Sequence, residues 1–211
     1  MRVVVFGATG RIGRHVVEQA LAADHEVIAF VRDPGRLAAS HDRLHIIQGD
    51  AQQADRVAEA IAGSDAVIAA LGPRGNTPDQ IEVLATGMRN ILTGMEAHGV
   101  RRLVALSGAG ITARGEQKRG FDAAVSRVVR LLSRHVVGAK QREYEIFSAT
   151  DLDWVAARPP FVREGPLTGR YRAGHLELGP GSRISRADLA HFMVRQLTDD
   201  TYLRSAPFVT Y

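Results

Sequence analysis

A glycine-rich turn near the start of the chain constrains the fold most. The segment Gly7-Ala8-Thr9-Gly10-Arg11-Ile12-Gly13 follows a valine-rich strand predicted at Arg2–Phe6 and opens a helical pattern at Arg11–Ala22. The first glycine allows a sharp turn off the strand, the second lets a pyrophosphate approach the backbone, and the third lets the helix pack close to the sheet. The helix N-terminus then offers unpaired N–H groups and a positive dipole end. We predict a dinucleotide here, with a purely structural turn as the alternative. The predicted contacts are Gly7, Thr9, Gly10, Arg11, Ile12 and Gly13.

Short apolar runs alternate with helical patterns along the rest of the chain. Further strands are predicted at Glu26–Val31, Leu44–Gln48, Ala66–Leu71, Arg102–Ser107 and Trp154–Ala157. Helices are predicted at Ala54–Ala62, Asp79–His98, Phe121–Val137, Lys140–Ala149 and Arg186–Leu197, the last with Ser185 as its N-cap. Near-continuous apolar strands separated by helices form parallel sheets covered on both faces. We therefore predict an α/β, Rossmann-type doubly wound sheet in one domain over residues 1–211, with a small variable C-terminal substrate region.

Composition excludes several functional classes. The 211 residues are 45% hydrophobic and 24% charged, as in an ordinary globular protein. The absence of cysteine excludes disulfides and thiolate chemistry, and the eight histidines do not cluster as metal ligands. Aromatic residues are only 6% and scattered, so we expect no nucleic-acid partner despite the net charge of +4. Because the sequence has neither a signal-like start nor a long apolar run, we expect a cytoplasmic protein without a membrane partner.

The end of the second predicted strand selects the dinucleotide. A carboxylate at this place accepts from the ribose 2′-hydroxyl of NAD, whereas an arginine binds the 2′-phosphate of NADP. Arg32 stands directly after Glu26–Val31, and Arg36 adds a second positive charge. Pro34 is expected to turn the neighbouring Asp33 outward. The sequence therefore predicts a preference for NADP(H), and a solvent-exposed surface arginine is the alternative for Arg32.

Two further turns lie at the same predicted sheet edge. Asp50 follows the third strand and is expected to lie along the adenine. Leu71 and Gly72 end the fourth strand and are expected to pass the ribose and the nicotinamide. Both turns are also common without a ligand, so each is a weak signal alone.

The Gly-x-x-Gly-x-x-Gly spacing, with Thr9 inside it, resembles the short-chain dehydrogenase/reductase superfamily. In that superfamily a serine at the end of the fifth strand contacts the substrate or the nicotinamide, and a Tyr-x-x-x-Lys pair donates a proton and holds the nicotinamide ribose. The resemblance implies that Ser107 orients the acceptor and that Lys140 holds the ribose. However, Val136 stands where the tyrosine belongs.

Tyr144 is the candidate replacement for the missing acid. It lies four residues after Lys140, on the same face of the predicted helix. The alternatives are a half-buried helix aromatic for Tyr144 and a solvent-exposed lysine for Lys140. The flanking Glu143 and Glu145 are expected to point elsewhere.

Two later segments sharpen the resemblance. Arg158-Pro159-Pro160 and Ile184-Ser185-Arg186-Ala187-Asp188, together with Lys140 and Tyr144, are similar to the atypical short-chain reductases, which include NmrA-like proteins and biliverdin-IXβ (flavin) reductases. The likeness covers nearly the whole chain. It implies either hydride transfer to a flat conjugated acceptor or cofactor binding without chemistry.

The missing tyrosine favours a conjugated acceptor. Flavins, quinones and enones spread the incoming charge and take their proton from solvent. We therefore predict an NADPH-dependent reductase of such a molecule. One alternative is an NADP(H)-binding redox sensor without turnover. Another is an epimerase or dehydratase, which would require the missing tyrosine.

The substrate pocket is expected between two variable regions. Residues 109–137 form one wall, within which Phe121–Val137 is interpreted as a covered helix, with a lid or a dimer face as alternatives. Residues 161–183 form the other wall, with Phe161, Tyr171 and His175 as candidate contacts. The expected partner is a small-molecule substrate, and the protein is expected to be a monomer or a homodimer.

Overall fold

A six-stranded parallel sheet forms the centre of the protein. The computed structural model describes residues 1–37, 39–116 and 133–211. The spatial order of the strands is β3-β2-β1-β4-β5-β6, and every neighbouring pair is parallel. This order confirms the predicted doubly wound sheet. The strand order reverses between β1 and β4: the chain adds β2 and β3 on one side of β1, and β4, β5 and β6 on the other. Ligands bind such sheets outside the carboxyl ends of the strands at the point of reversal. The strands are β1 (Arg2–Phe6), β2 (Glu26–Val31), β3 (Leu44–Gln48), β4 (Ala66–Ala69), β5 (Arg102–Leu106) and β6 (Asp153–Ala157).

Helices cover both faces of the sheet. They are α1 (Gly13–Ala22), α2 (Ala54–Ile61), α3 (Asp79–Ala97), α4 (Arg134–Ser148) and α5 (Arg186–Arg195). Helices α1 and α5 share one core cluster, and helices α2, α3 and α4 contribute to the other. Strand β1 supplies both clusters because successive side chains alternate between the faces. Val3 and Val5 enter the first cluster, whereas Val4 and Phe6 enter the second. This two-sided burial explains the continuous apolar run of the strand.

Helix α4 differs from its prediction. Two helices were expected, at Phe121–Val137 and Lys140–Ala149, but one helix runs without interruption from Arg134 to Ser148. Gly138 lies inside this helix and faces Ile81 of α3, where a Cβ would be 3.3 Å from Ile81 Cδ1. Most of the first predicted helix, residues 121–132, lies outside the described residues.

Short strands build the C-terminal region, as expected for residues 161–183. They are β7 (Phe161–Arg163), β8 (Arg172–Gly174) and β9 (Arg183–Ser185), and the sequence prediction missed a further strand, β10 (Phe208–Thr210). Strand β7 pairs with β9 in parallel, and β8 pairs with β10 in antiparallel.

A buried arginine connects this region to the chain after β5. Arg158 follows β6 and is 1% exposed. Its guanidinium donates to Ile111 O and Ala206 O at 3.1 and 3.3 Å, and to both carboxylate oxygens of Glu116. It also lies 4.1 Å from the ring centre of Phe208. Arg158 therefore connects the chain after β6 with the loop after β5 and with the segment around the start of β10.

A buried aspartate organises the loop between β7 and β8. One oxygen of Asp188 accepts the N–H groups of Thr168 and Gly169, each at 2.8 Å. The other accepts the hydroxyls of Thr168 and Tyr211, each at 2.7 Å. The hydroxyl of Ser185 accepts the Asp188 N–H at 2.9 Å, which confirms Ser185 as the N-cap of α5. The carboxylate thus ties a loop and the C-terminus to one helix start.

We predict that Asp188→Asn lowers the free energy of unfolding at neutral pH by about 1.5–3 kcal/mol, the range for hydrogen bonds to charged groups. Burial raises the pKa of Asp188, but the hydrogen bonds from Thr168, Tyr211 and Gly169 outweigh it and hold the pKa below the ordinary 3.8. Because the folded-state pKa is depressed, this stabilisation is present above 3.8 and is lost as the pH falls through it toward the folded value.

Urea unfolding at a series of pH values measures this effect. The difference between wild type and variant should shrink at acid pH, whereas the exposed-site control Asp42→Asn should change little. A difference that stays constant with pH would contradict a role for the charge of Asp188.

Candidate functional site

The candidate site is a groove at the carboxyl edge of the sheet, where the strand order reverses. The turns after β1, β2, β3 and β4 line it, and the start of α3 closes one side. The groove brings together seven of the predicted cofactor contacts, because parallel strands end at the same edge. These are Gly7, Thr9, Gly10, Arg32, Asp50, Leu71 and Gly72.

The glycine turn has the tight geometry that the motif requires. Gly7 has φ +82°, and a Cβ on it would lie 2.5 Å from the carbonyl oxygen of Ala70 at the end of β4. Gly10 N–H donates to Gly7 O at 2.8 Å and closes the turn. A Cβ on Gly13 would overlap the same Gly7 carbonyl. The first glycine therefore allows the sharp turn as predicted, whereas the third is required against the backbone of the turn itself rather than against the sheet.

The N-terminus of α1 lies directly behind this turn. Ile12 is its N-cap residue and provides no side-chain hydrogen bond to the helix. Since the first N–H groups of a helix have no intrahelical acceptor, they suit an anion such as a pyrophosphate. Arg11 is exposed, and Arg11, Ile12 and Gly13 lie behind the groove rather than among its lining residues. The uncapped helix and the glycine cradle fit a dinucleotide.

Two arginines line the groove beyond β2. Arg32 and Arg36 are both exposed there. Asp33 turns away as predicted, because its carboxylate accepts the Gly35 N–H at 3.0 Å and caps the short 3₁₀ helix Pro34–Arg36. The groove therefore presents positive charge without an adjacent free carboxylate at the expected place of the 2′-substituent.

Arg74 also lines the groove and was not predicted from the sequence. Its guanidinium lies 3.3 Å from the carboxylate of Asp50, on the other side of the groove. Its backbone N–H donates to Gln80 at 2.9 Å, which fixes the loop between β4 and α3. The position of Arg74, two residues after Gly72 at the same sheet edge, is the signal that would have identified it.

Lys140 is buried with its ammonium group against the ends of two strands. The Nζ atom donates to Leu71 O at 2.7 Å, to Leu106 O at 2.6 Å and to Glu143 Oε2 at 2.6 Å. The expectation that Glu143 points elsewhere is wrong: Glu143 is fully buried. A buried ammonium needs a counter-charge, and the residue three positions along a helix is within reach. Burial raises the pKa of Glu143, against the opposing effect of Lys140.

Ser107 lies directly after β5. Its N–H donates to Ala157 O at 2.8 Å, which continues the sheet ladder toward β6. Its hydroxyl is buried and has no hydrogen-bond partner within residues 1–37, 39–116 and 133–211. A buried hydroxyl without a hydrogen-bond partner is uncommon, and it indicates either a functional group or local strain.

Tyr144 lies in the core and not in the groove. It is 4% exposed, and its hydroxyl accepts the Arg114 N–H at 3.0 Å. Its ring packs edge-on against Phe147 and Trp154. The structure does not bring Tyr144 to the groove, although it shares one helix face with Lys140, which is bonded to Leu71 of the groove lining. A position four residues along the helix lies about 6 Å further from the carboxyl edge, because a helix rises about 1.5 Å per residue.

The predicted substrate-wall residues occupy three separate places. Phe161 on β7 is 54% exposed. The hydroxyl of Tyr171 lies 2.8 Å from His191, and burial raises the pKa of Tyr171 to about 12. His175 lines a second cavity, which it shares with Tyr144.

Comparison with known proteins identifies the family. A family model described as NAD(P)H-binding matches residues 7–200. The chain belongs to this NAD(P)H-binding family. The match covers the glycine turn and every strand of the sheet from β2 to β6, so the prediction of an NAD(P)H-binding protein is confirmed.

The chain also resembles a protein of known name in sequence and two solved structures in fold. A 2-alkyl-3-oxoalkanoate reductase from Stenotrophomonas maltophilia is 29% identical over 92% of this chain and 64% of its own. An anaerobillin reductase from Escherichia coli O157:H7, ChuY, shares the fold with a TM-score of 0.80 and 20% identity, over 99% of this chain and 96% of its own. A wide-type short-chain dehydrogenase/reductase from Veillonella parvula, solved in complex with NADP, has a TM-score of 0.78 and 17% identity, over 100% and 94%.

The curated relatives are longer proteins. The chain spans between 34% and 64% of the lengths of four that it matches. In the part of the chain that the structure describes, none of the helices combines the length and apolar character needed to cross a bilayer.

We predict that Gly13→Ala weakens NADPH binding at least about tenfold, equivalent to about 1.4 kcal/mol. The added methyl group overlaps Gly7 O, so either the turn or α1 must move away from its position. Fluorescence titration with NADPH measures the affinity, and thermal unfolding reports the accompanying strain.

Gly181→Ala is the matched control, because Gly181 is exposed and a Cβ there meets nothing within 4 Å. An unchanged NADPH affinity in a folded Gly13→Ala variant would disprove the assignment of this turn to the cofactor.

Proposed function

We propose that the protein is an NADPH-dependent reductase of a small conjugated acceptor of the flavin, quinone or enone type. The observation that carries the proposal is the groove itself. Exposed Arg32 and Arg36 lie at one end of it, and Leu71 and Gly72 lie at the other. Membership of the NAD(P)H-binding family and a reductase among the relatives support the assignment to hydride transfer.

The adenosine end of the groove favours the phosphorylated coenzyme. A guanidinium binds a phosphate dianion through paired, charge-assisted hydrogen bonds. Arg32 and Arg36 offer two such groups. Asp33 does not oppose them, because its carboxylate is engaged by Gly35 N–H. NADPH, when bound, supplies the hydride.

The other end of the groove orients the reactants and leaves proton delivery to solvent. Leu71 and Gly72 would flank the nicotinamide ribose, and Ser107 would orient the acceptor. The Tyr144 hydroxyl accepts a hydrogen bond from Arg114 N–H in the core. Val136 stands at the usual position of the acid. This combination favours an acceptor that stabilises the incoming charge itself over an isolated ketone, whose alkoxide needs an acid.

A sensor that binds NADP(H) without turnover is the second candidate. The burial of both Ser107 and Lys140 favours it, since no hydrogen-bonding atom of these two side chains is free at the surface of the groove. An epimerase or dehydratase is less favoured, because it needs an acid–base residue in place of Val136.

We predict that Arg32→Gln weakens NADPH binding by about 10- to 100-fold, as expected for the loss of about 1.5–3 kcal/mol from a charged hydrogen bond. The affinity for NADH should change less than about twofold, because NADH lacks the 2′-phosphate. Titrating both reduced coenzymes into wild type and variant measures the preference.

The matched control is Arg170→Gln, at an exposed arginine outside the groove. Equal affinity of the wild type for NADPH and NADH, or tighter NADH binding, would refute the proposed preference.

We predict that the purified protein oxidises NADPH with flavins, quinones or enones and not with simple ketones. Absorbance at the nicotinamide band, followed anaerobically and aerobically, measures turnover. Tyr144→Phe should keep the rate within about threefold, since a general acid typically contributes about 100-fold or more.

Three outcomes would change the conclusion. Reduction of ketones alone contradicts a conjugated acceptor. A loss of about 100-fold or more in a folded Tyr144→Phe variant assigns the proton to Tyr144. Tight NADPH binding without turnover across the whole panel favours the sensor.

A further inference from the structure

The ammonium group of Lys140 has no donor left for a ligand. A lysine ammonium carries three N–H groups and no acceptor. Its three hydrogen bonds go to Leu71 O, Leu106 O and Glu143 Oε2, at 2.6–2.7 Å. To bind a ribose hydroxyl directly, it would have to break one of these bonds in a buried environment. The direct role that the superfamily resemblance implies is therefore costly in this chain.

The two carbonyl acceptors belong to neighbouring strands at the carboxyl edge. Leu106 is the last residue of β5, and Leu71 lies two residues beyond β4. The β4–β5 register ends at the pair Ala69 and Ala105, so the ladder provides no further bond between these two segments. Lys140 Nζ lies between the two carbonyl oxygens and replaces the missing ladder connection.

Glu143 makes this connection possible. A charged ammonium is costly to bury without a partner. The carboxylate of Glu143 is fully buried, 2.6 Å from Nζ, and one turn along the same helix. The neighbouring polar residues of α4 do not contact Lys140 or Glu143 in this way. Arg142 forms an ion pair with Glu145 on the surface, and Gln141 donates a hydrogen bond to Glu145.

We propose that Lys140 and Glu143 act as one positioning pair for the nicotinamide half of the site. The pair fixes the distance between the ends of β4 and β5. It thereby holds Leu71–Gly72 on one side and Leu106–Ser107 on the other, and Lys140 acts on the coenzyme through these backbone segments. Glu143 is thus a positioning residue for coenzyme binding, a role that rests on the proposed placement of the nicotinamide beside Leu71 and Ser107.

Coenzyme binding to four variants tests the proposal. The variants are Lys140→Met, Glu143→Gln, the double variant Lys140→Met/Glu143→Leu, and the control Glu145→Gln at an exposed position on the same helix. The two probes are NADPH and adenosine 2′,5′-bisphosphate, which carries the adenosine end but no nicotinamide half. Isothermal titration measures both affinities.

If Lys140 and Glu143 act as a positioning pair, the variants should change the affinity for NADPH but not the affinity for adenosine 2′,5′-bisphosphate. NADPH affinity should fall about tenfold or more in Lys140→Met and in Glu143→Gln alike, and the double variant should lose no more than either single change. Affinity for adenosine 2′,5′-bisphosphate should stay within about twofold in every variant. Glu145→Gln should match the wild type with both probes.

Other outcomes overturn the proposal. Wild-type NADPH affinity in Glu143→Gln, with a loss only in Lys140→Met, means that the lysine binds the ribose directly. Equal losses of both probes mean that the pair supports the fold in general and not the nicotinamide half.

A single change leaves one buried charge without its partner and could prevent folding. The double variant removes both charges and still allows the proposal to be tested. Apolar residues of similar volume often replace a buried ion pair without loss of stability. Hydrogen exchange in the coenzyme-free double variant should then be faster at the amides of residues 70–72 and 106–109. Unchanged exchange there refutes the pair as a positioning device. None of these measurements uses an acceptor, so an absence of turnover would defeat the proposed reductase and leave this proposal standing.

Discussion

The close contact between Gly13 and the carbonyl of Gly7 is the constraint on which the rest of the site depends. A side chain at either position would overlap backbone, at Gly7 O or at Ala70 O. Without side chains there, α1 begins directly on the turn after β1, beside the point where the strand order reverses. The parallel strands then bring their following turns to the same edge. Arg32 and Asp50 reach the groove for this reason, although 18 residues separate them in the sequence.

Buried polar groups fix the parts of the chain that the periodic core does not. Asp188 holds the loop between β7 and β8, Arg158 holds the segment after β5, and the Lys140–Glu143 pair holds the ends of β4 and β5. In each case a charged side chain accepts or donates to backbone groups that no helix or strand satisfies. Because an unsatisfied buried backbone group is costly, these residues define the irregular segments as strictly as the apolar side chains define the sheet.

Periodicity determined what the sequence could predict. The bounds of β1, β2 and β3 agree with the prediction, because apolar runs there end abruptly at glycine or charged residues. Glu143 was misplaced and Arg74 missed, since the burial of a single polar residue leaves no periodic signal. For Tyr144, helical spacing gives its angle around α4 but not its height above the sheet, and the height decides whether a side chain reaches the groove. Strand β10 was missed because its three residues pair with a strand that is distant in sequence.

The two ends of the groove are built on different physical principles, and this has a consequence for function. In the proposed orientation, the adenosine end consists of exposed arginines, so we expect that coenzyme preference can change independently of the scaffold. The proposed nicotinamide end consists of backbone segments held by buried charges, so we expect that its geometry cannot change without disturbing the core. We infer that such a site would position a nicotinamide firmly and would offer few side chains for acid–base chemistry. It therefore suits reactions in which the acceptor itself accommodates the charge, and it demands little more from the protein than accurate placement.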